Sequence, residues 1–332
     1  MSAAPTNKAP IVAEEFCAWI LDGEGGARQV HPEAGLKACE AGQTVWFNVD
    51  FSDHAGRAWL ETKSGIDDAI TVAMLAEDSR PRVLETPDGI LTILRGVNLN
   101  PGSPIEDMIS VRIWLEGTRV FTASRRRLKS VERMREALQE GRGPRSAPLF
   151  QLQLISQLLD RIGEAIDALD DALEEAENLV SRQNMTARST PFGEQRRKTA
   201  RIRRYLAPQR EALDRLSRIT DTFFGERQLA ELREQLNRLT LLIEDLDLIR
   251  ERAMVAQEEF LGIVAHEQNS RMFLLSIVAA IFLPLSFLTG LMGMNVAGLP
   301  GTENEWSFAI IAMIMGLIAA GILLIFRFSK WF

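Results

Sequence analysis

The chain has 332 residues, 46% of them apolar and 25% charged, and its 45 acidic against 38 basic side chains give a net charge of -7. That length allows one or two domains of ordinary size. The acidic balance speaks against nucleic acid as a partner and suits a protein that gathers cations near its surface. The 2 cysteines, Cys17 and Cys39, have neither metal-ligand nor redox spacing and read as small core residues with no disulfide. The first residues, MSAAPTNKAPIVAEEF, lack a charged stretch followed by an apolar one, so no cleavable signal is expected.

Residues 16–122 alternate short β-type runs with helical patterns. Segments 16–21 and 44–51 are rich in β-branched and aromatic residues and bounded by Gly, Asp and Ser, as strands are. Segments 55–62 and 66–75 carry helical periodicity, with Asp53 placed to cap the first. Further strands are predicted at 82–85, 90–97, 109–115 and 119–122, with turn signals at Pro87-Asp88-Gly89 and Glu116-Gly117. The pattern predicts an α/β domain with hairpins over 1–127.

A helical region is expected over 128–225. Its first helix, 129–139, is ended by Gly141, Gly143 and Pro144. A second, over 149–182, steps its apolar residues by three and four through Ile162, Ile166, Leu169, Leu173, Ala176 and Val180. Its outer face carries Asp167, Asp170, Asp171, Glu174, Glu175 and Glu177, which reads as a solvated face or as a metal-sensing surface. A third, over 193–223, bears Arg196, Arg197, Lys198, Arg201, Arg203 and Arg204. The two neighbours are expected to pair as an antiparallel hairpin, so that the basic cluster offsets local acid rather than binding nucleic acid or lipid.

Past Gly225 there is no proline until Pro284, and Leu229, Leu232, Leu236, Leu239, Ile243 and Leu246 form a seam. A single helix over 226–292 would be about 100 Å long. Its first part, 226–271, is a stalk, and His266 on it reads as a packed or interface residue. The continuation, 272–294, runs about 23 residues without a charge, enough to cross a bilayer core of roughly 30 Å. A loop over 295–306 leads to a second uncharged run, 307–326, and a tail, 327–332. Arg252 and Arg271 precede the first span, Arg327 and Lys330 follow the second, and 296–306 holds no Lys or Arg, so both termini should lie in the cytoplasm. Two spans cannot enclose an aqueous path, so any pore requires an oligomer. No phosphate-cradling Gly-rich loop, His-rich motif or nucleophile with its base is recognisable, so neither a nucleotide partner nor an enzyme is expected.

The first span closes on Gly293-Met294-Asn295. That tripeptide at the end of the penultimate span, after a long charged helix, resembles the CorA superfamily of divalent-cation transporters, and the layout of the whole chain agrees. The continuation 296–301 and the stretches Arg80-Pro81-Arg82 and 94–102 are similar to its zinc-transporter branch, ZntB. The resemblance implies a funnel-shaped homopentamer in the bacterial inner membrane, the first span of each subunit lining the axis and the second facing lipid. Matching by the tripeptide turns Asn295, Gly290, Ser286, Leu283, Ala279, Leu275 and Met272 toward the pore, with Asn269, Leu261 and Glu258 below.

The chemistry of that face is specific. A ring of Asn295 amide oxygens would hold a dication through its water shell, and Ser286 would add a ring of hydroxyls. Leu283, Leu275 and Met272 would form apolar constrictions that close by dewetting. Asn295 as a helix C-cap and Met272 and Leu275 as simple packing are the alternatives. Glu303 and Glu305 would either raise the cation concentration at the outer mouth or be solvated loop charges. Glu258 matches an acidic position of the family where cytoplasmic metal binds. Without Cys or His this face suits a hydrated hard cation such as magnesium, whereas the loop and the sheet-domain stretches point to zinc. No cofactor is expected beyond the transported zinc, or magnesium or cobalt. An inside-negative potential favours entry of a dication by roughly 4 to 5 kcal/mol per 100 mV, and neither span holds an Asp, Glu or Lys to carry a coupled proton. The alternatives to zinc uptake are a magnesium or cobalt channel gated by cytoplasmic metal, zinc efflux, and a membrane-tethered sensor or structural protein.

Overall fold

A computed structural model describes residues 16–77, 79–181, 192–219, 223–294, 299 and 305–328. They fall into two compact units, one ending at Gln257 and the other beginning at Glu258.

The first unit is built on a 7-stranded sheet of β1 (Phe16–Leu21), β2 (Ala27–Val30), β3 (Val45–Asp50), β4 (Arg82–Glu85), β5 (Ile90–Gly96), β6 (Ile109–Glu116) and β7 (Arg119–Ser124). The order is β2-β1-β3-β7-β6-β5-β4, antiparallel except where β3 and β7 run parallel at its centre, Val45 beside Arg119 and Asp50 beside Ser124. Both faces are covered, which is why the central strands read as continuous apolar runs rather than as an alternation.

One face, carrying Ala18, Phe47, Val49, Phe121 and Ala123, lies under α1 (Pro32–Glu40), α2 (His54–Thr62) and α3 (Asp68–Leu75). Phe47 stacks on Phe121 at 4.7 Å and on Trp59 of α2 at 5.6 Å. Asp53 caps α2 as its sequence predicts, accepting from the Gly56 amide at 3.2 Å, and Asp67 caps α3 through Ala69 at 2.8 Å. At Gly35 of α1 a Cβ would fall 2.8 Å from that of Ala18 and 2.9 Å from the Phe47 ring, so only glycine lets this helix lie against the sheet.

The opposite face meets α4 (Lys129–Gln139) and α5 (Ala147–Ser181), and α6 (Phe192–Ser217) packs against β4 and β5. Trp46 sits 4.9 Å from Phe150 and donates to Thr122 Oγ1 at 2.8 Å, while Gln151 Nε2 donates to Thr92 Oγ1 at 2.7 Å. The first of these bonds lies within the sheet and the second ties α5 to β5.

Two arginines fasten the chain after α3. Arg112, 2% exposed, donates to the carbonyls of Ala76 at 2.5 Å and Ser110 at 3.2 Å and lies 4.7 Å over the Phe51 ring. Burial first, then the nearby Arg95, Arg125 and Arg82, pushes its guanidinium down to about 10. Arg95 donates to Ser79 O at 2.8 Å and Met108 O at 2.9 Å. The stretches around 80–82 and 94–102 are therefore held together by hydrogen bonds.

The acidic and basic helices neutralise differently from the expectation. α5 and α6 do touch, but among the described residues Asp170 and Glu177 of α5 pair with Arg252 of α7 (Glu226–Met292), at 2.5 and 2.7 Å, and Asp160 with its Arg238. Arg203 of α6 pairs with Asp247, again on α7, at 2.6 Å. The long helix thus meets both charged faces, while Lys198 pairs with Glu194 within α6 at 2.7 Å and Arg201 with Glu106 at 3.4 Å.

Cys17 is buried and accepts from Trp19 Nε1 at 3.1 Å. Cys39 is half-buried, and burial, aided by Glu116 and opposed by Arg119, pushes its thiol up to about 11. At pH 8 that leaves about a thousandth as thiolate, against roughly a quarter for an ordinary thiol. Iodoacetamide should therefore alkylate Cys39 in the native protein about 100-fold more slowly than free cysteine, with about a tenfold gain per pH unit. Peptide mass spectrometry against time reads this directly; labelling at the rate of free cysteine would contradict it.

The second unit holds the end of α7, a helix of 67 residues, and α8 (Ser307–Phe328), of 22. Both contain stretches long and apolar enough to cross a membrane. α8 buries none of its residues within the chain, so its apolar surface must be covered by lipid or protein. The rings of Phe273 and Phe326 meet edge to face at 6.0 Å.

Candidate ion pathway

The proposed lining residues Glu258, Leu261, Asn269, Met272, Leu275, Ala279, Leu283, Ser286 and Gly290 all stand on α7, in steps of three, four or eight. Every one of them is exposed in the single chain, Leu275 by 69% and Leu283 by 72%. The less exposed positions of the span, Phe273, Ile277, Ala280, Ile281, Pro284, Leu285 and Leu288, recur in steps of one, three and four on the other side of the helix. Phe273, which touches α8, belongs to that side. The span thus has one face turned to its own partner helix and an uncovered face holding the lining set.

Hydroxyl chemistry separates the polar residues of the span. Ser276 donates to the Met272 carbonyl at 2.9 Å and Thr289 to that of Ser286 at 3.0 Å, so both are tied back to the helix. Among the described residues no acceptor takes the Ser286 hydroxyl. Pro284 has no amide proton, so the carbonyl four residues earlier, on Ala280, lacks its helical donor. Sequence reasoning passed over that polar group; a proline inside an otherwise unbroken helix was the signal.

The helix ends with the Gly293 amide bonded to Thr289 O at 2.9 Å. Asn295 and Glu303 lie outside the described residues, and Glu305 is exposed in the turn before α8. His266 is exposed on α7. Among the described residues no group of three His, Cys, Asp or Glu side chains converges to hold a metal.

The chain thus combines a sheet domain, a helix that continues into the first of two stretches long and apolar enough to cross a membrane, and an uncovered face on that stretch. A family model described as "CorA-like Mg2+ transporter protein" matches residues 41–328. The chain belongs to that family. It is 35% identical over 319 residues to the divalent cation transporter CmaX of Pseudomonas aeruginosa, covering 94% of this chain and 95% of the other. Identity to the zinc transport protein ZntB of Yersinia enterocolitica is 28% over 325 residues, covering 98% of each. The solved structure of full-length CmaX is similar with a TM-score of 0.81 at 34% identity, over 97% of this chain and 100% of that one. The CorA magnesium transporter from Methanocaldococcus jannaschii, at 17% identity, shares the fold, with a TM-score of 0.79 over 97% and 100%.

Proposed function

We propose that the protein takes up zinc, with other divalent cations as secondary cargo, across the bacterial inner membrane through a pore on the axis of a homopentamer. The observation that carries this reading is the uncovered face of α7, where the lining set is exposed opposite the side that meets α8. Copies of that face turned inward would enclose the path that one chain cannot, with α8 outward against lipid. Residues 1–127, 128–225 and 226–271 are then the cytoplasmic α/β domain, helical region and stalk. Spans 272–294 and 307–326 flank a periplasmic loop at 295–306, and the tail 327–332 is cytoplasmic. Arg271 and Arg327, at the two span ends joined by the Phe273–Phe326 contact, support that orientation.

In this reading Gly293, Met294 and Asn295 form the selective outer mouth, with Asn295 holding the ion through its water. Glu303 and Glu305 draw cations to it. Ser286 relays the hydrated ion past the Leu283, Leu275 and Met272 constrictions, and Glu258 meets it at the cytoplasmic end. Zinc is favoured by the likeness to ZntB. A magnesium or cobalt channel is the second reading, favoured by a lining face that holds oxygen donors but neither Cys nor His.

Metal flux into proteoliposomes, with zinc and magnesium tested separately and a proton gradient present or absent, decides between them. Zinc entry exceeding magnesium entry supports the first reading, and a response to the gradient adds coupling. Magnesium entry driven by voltage alone supports the second. No flux of either ion would sink both.

A further inference from the structure

The parallel pair β3 and β7 creates a crevice that lies outside the ion path proposed above. After β3 the chain passes to α2 on the Phe47 face, and after β7 it passes to α4 on the Trp46 face, so the connections leave the two carboxyl ends in opposite directions. Such a switch point is where open α/β sheets hold ligands. A cleft of about 150 Å³ lies there, its floor made by Trp46 and Trp19 and its rim by Asn48, Ser124, Arg126, Arg127 and Arg135.

We propose that this cleft binds a phosphate group. Guanidinium forks match phosphate oxygens bidentately, and Arg126, Arg127 and Arg135 converge on one small volume. Two acids also line it, Asp50, which accepts from the Ser52 amide and hydroxyl at 2.8 and 2.7 Å, and Glu132, which pairs with Lys129 at 2.9 Å; against the three guanidiniums they leave the lining positive. Arg126 is held by an exposed pair to Asp107 at 2.5 Å, of the kind an incoming anion displaces readily, and Arg127 pairs with the less exposed Glu132 at 3.3 Å. α4 begins at the cleft with Leu128 as its cap, which offers no side-chain acceptor to the first amides. The volume equals that of about five waters, enough for a phosphate and a small apolar body but not a dinucleotide.

The test uses the full-length protein in detergent, titrated with inorganic phosphate or with phenyl phosphate against chloride at equal ionic strength. A saturable rise in melting midpoint is expected for the wild type, weakened about tenfold or more in apparent affinity in the R126Q/R127Q variant. Tighter binding of phenyl phosphate would assign an organic phosphomonoester to the cleft, and equal binding free phosphate; both support the site. Hydrogen exchange of the wild type, with slowing confined to amides near 124–135 in phosphate, gives a readout that needs no variant. No saturable effect of either anion, protection elsewhere, or an undiminished response in the variant would overturn the proposal.

Discussion

Proteoliposomes carrying Asn295→Ala are expected to lose selective cation entry while the protein still folds and assembles. The proposed role of the amide is to accept hydrogen bonds from the water shell of a dication, a contact weak enough for release. Alanine removes the acceptor ring without adding bulk. Loss of only about 1.4 kcal/mol of stabilisation at the mouth would lower the preference for dications over monovalent ions tenfold. Asn295→Asp should instead slow turnover, since a ring of carboxylates holds the ion longer. Flux and selectivity unchanged in Asn295→Ala, at equal incorporation and oligomeric size, would defeat the proposed ion path.

Phe121→Ala is expected to cost about 3–5 kcal/mol of stability, a shift of roughly two to nearly four orders of magnitude in the folding equilibrium. Phe121 is fully buried at the centre of the sheet, stacked on Phe47 at 4.7 Å and within 6.4 Å of Trp59. Truncation opens a cavity bounded by strands on both sides that have little freedom to close it. Near-UV circular dichroism on heating would register the loss as a clearly lower midpoint. A midpoint within a degree or two of the wild type would mean that the layer relaxes around the gap.

Much of the fold was legible because its elements obey strong local rules. The helix 129–139 and the long helix to Met292 have the predicted bounds, the first ended by glycines and the second kept unbroken by an absence of breakers. β2 and α1 were missed for physical reasons. β2, Ala-Arg-Gln-Val, is an exposed edge strand with no buried alternation to read. α1 carries a glycine in its middle, required by the close approach to Ala18 and Phe47 but weakening as a local signal. α6 stops at Ser217, short of 223, because a run of apolar and charged residues says less about a helix end than a cap does. Partners of charged faces were illegible: periodicity tells which face of α5 is acidic, but not that Arg252 would reach it from 75 to 82 positions away. The proposed ion pathway came from one tripeptide and its place; the geometry adds the uncovered face and, among the described residues, a Ser286 hydroxyl that no acceptor takes.

The parallel pairing of β3 with β7 also sets a clock on biosynthesis. Trp46 and Thr122, bonded across that pair, are 76 residues apart in the chain. At about 5–20 residues per second of translation, β3 waits some 4–15 s for its neighbour, exposing one edge of an apolar strand that a holdase chaperone would recognise. Residue 272 emerges later still. The centre of the sheet can therefore close before any hydrophobic span is available to recruit the membrane-insertion machinery, so the two events are separated in time rather than competing.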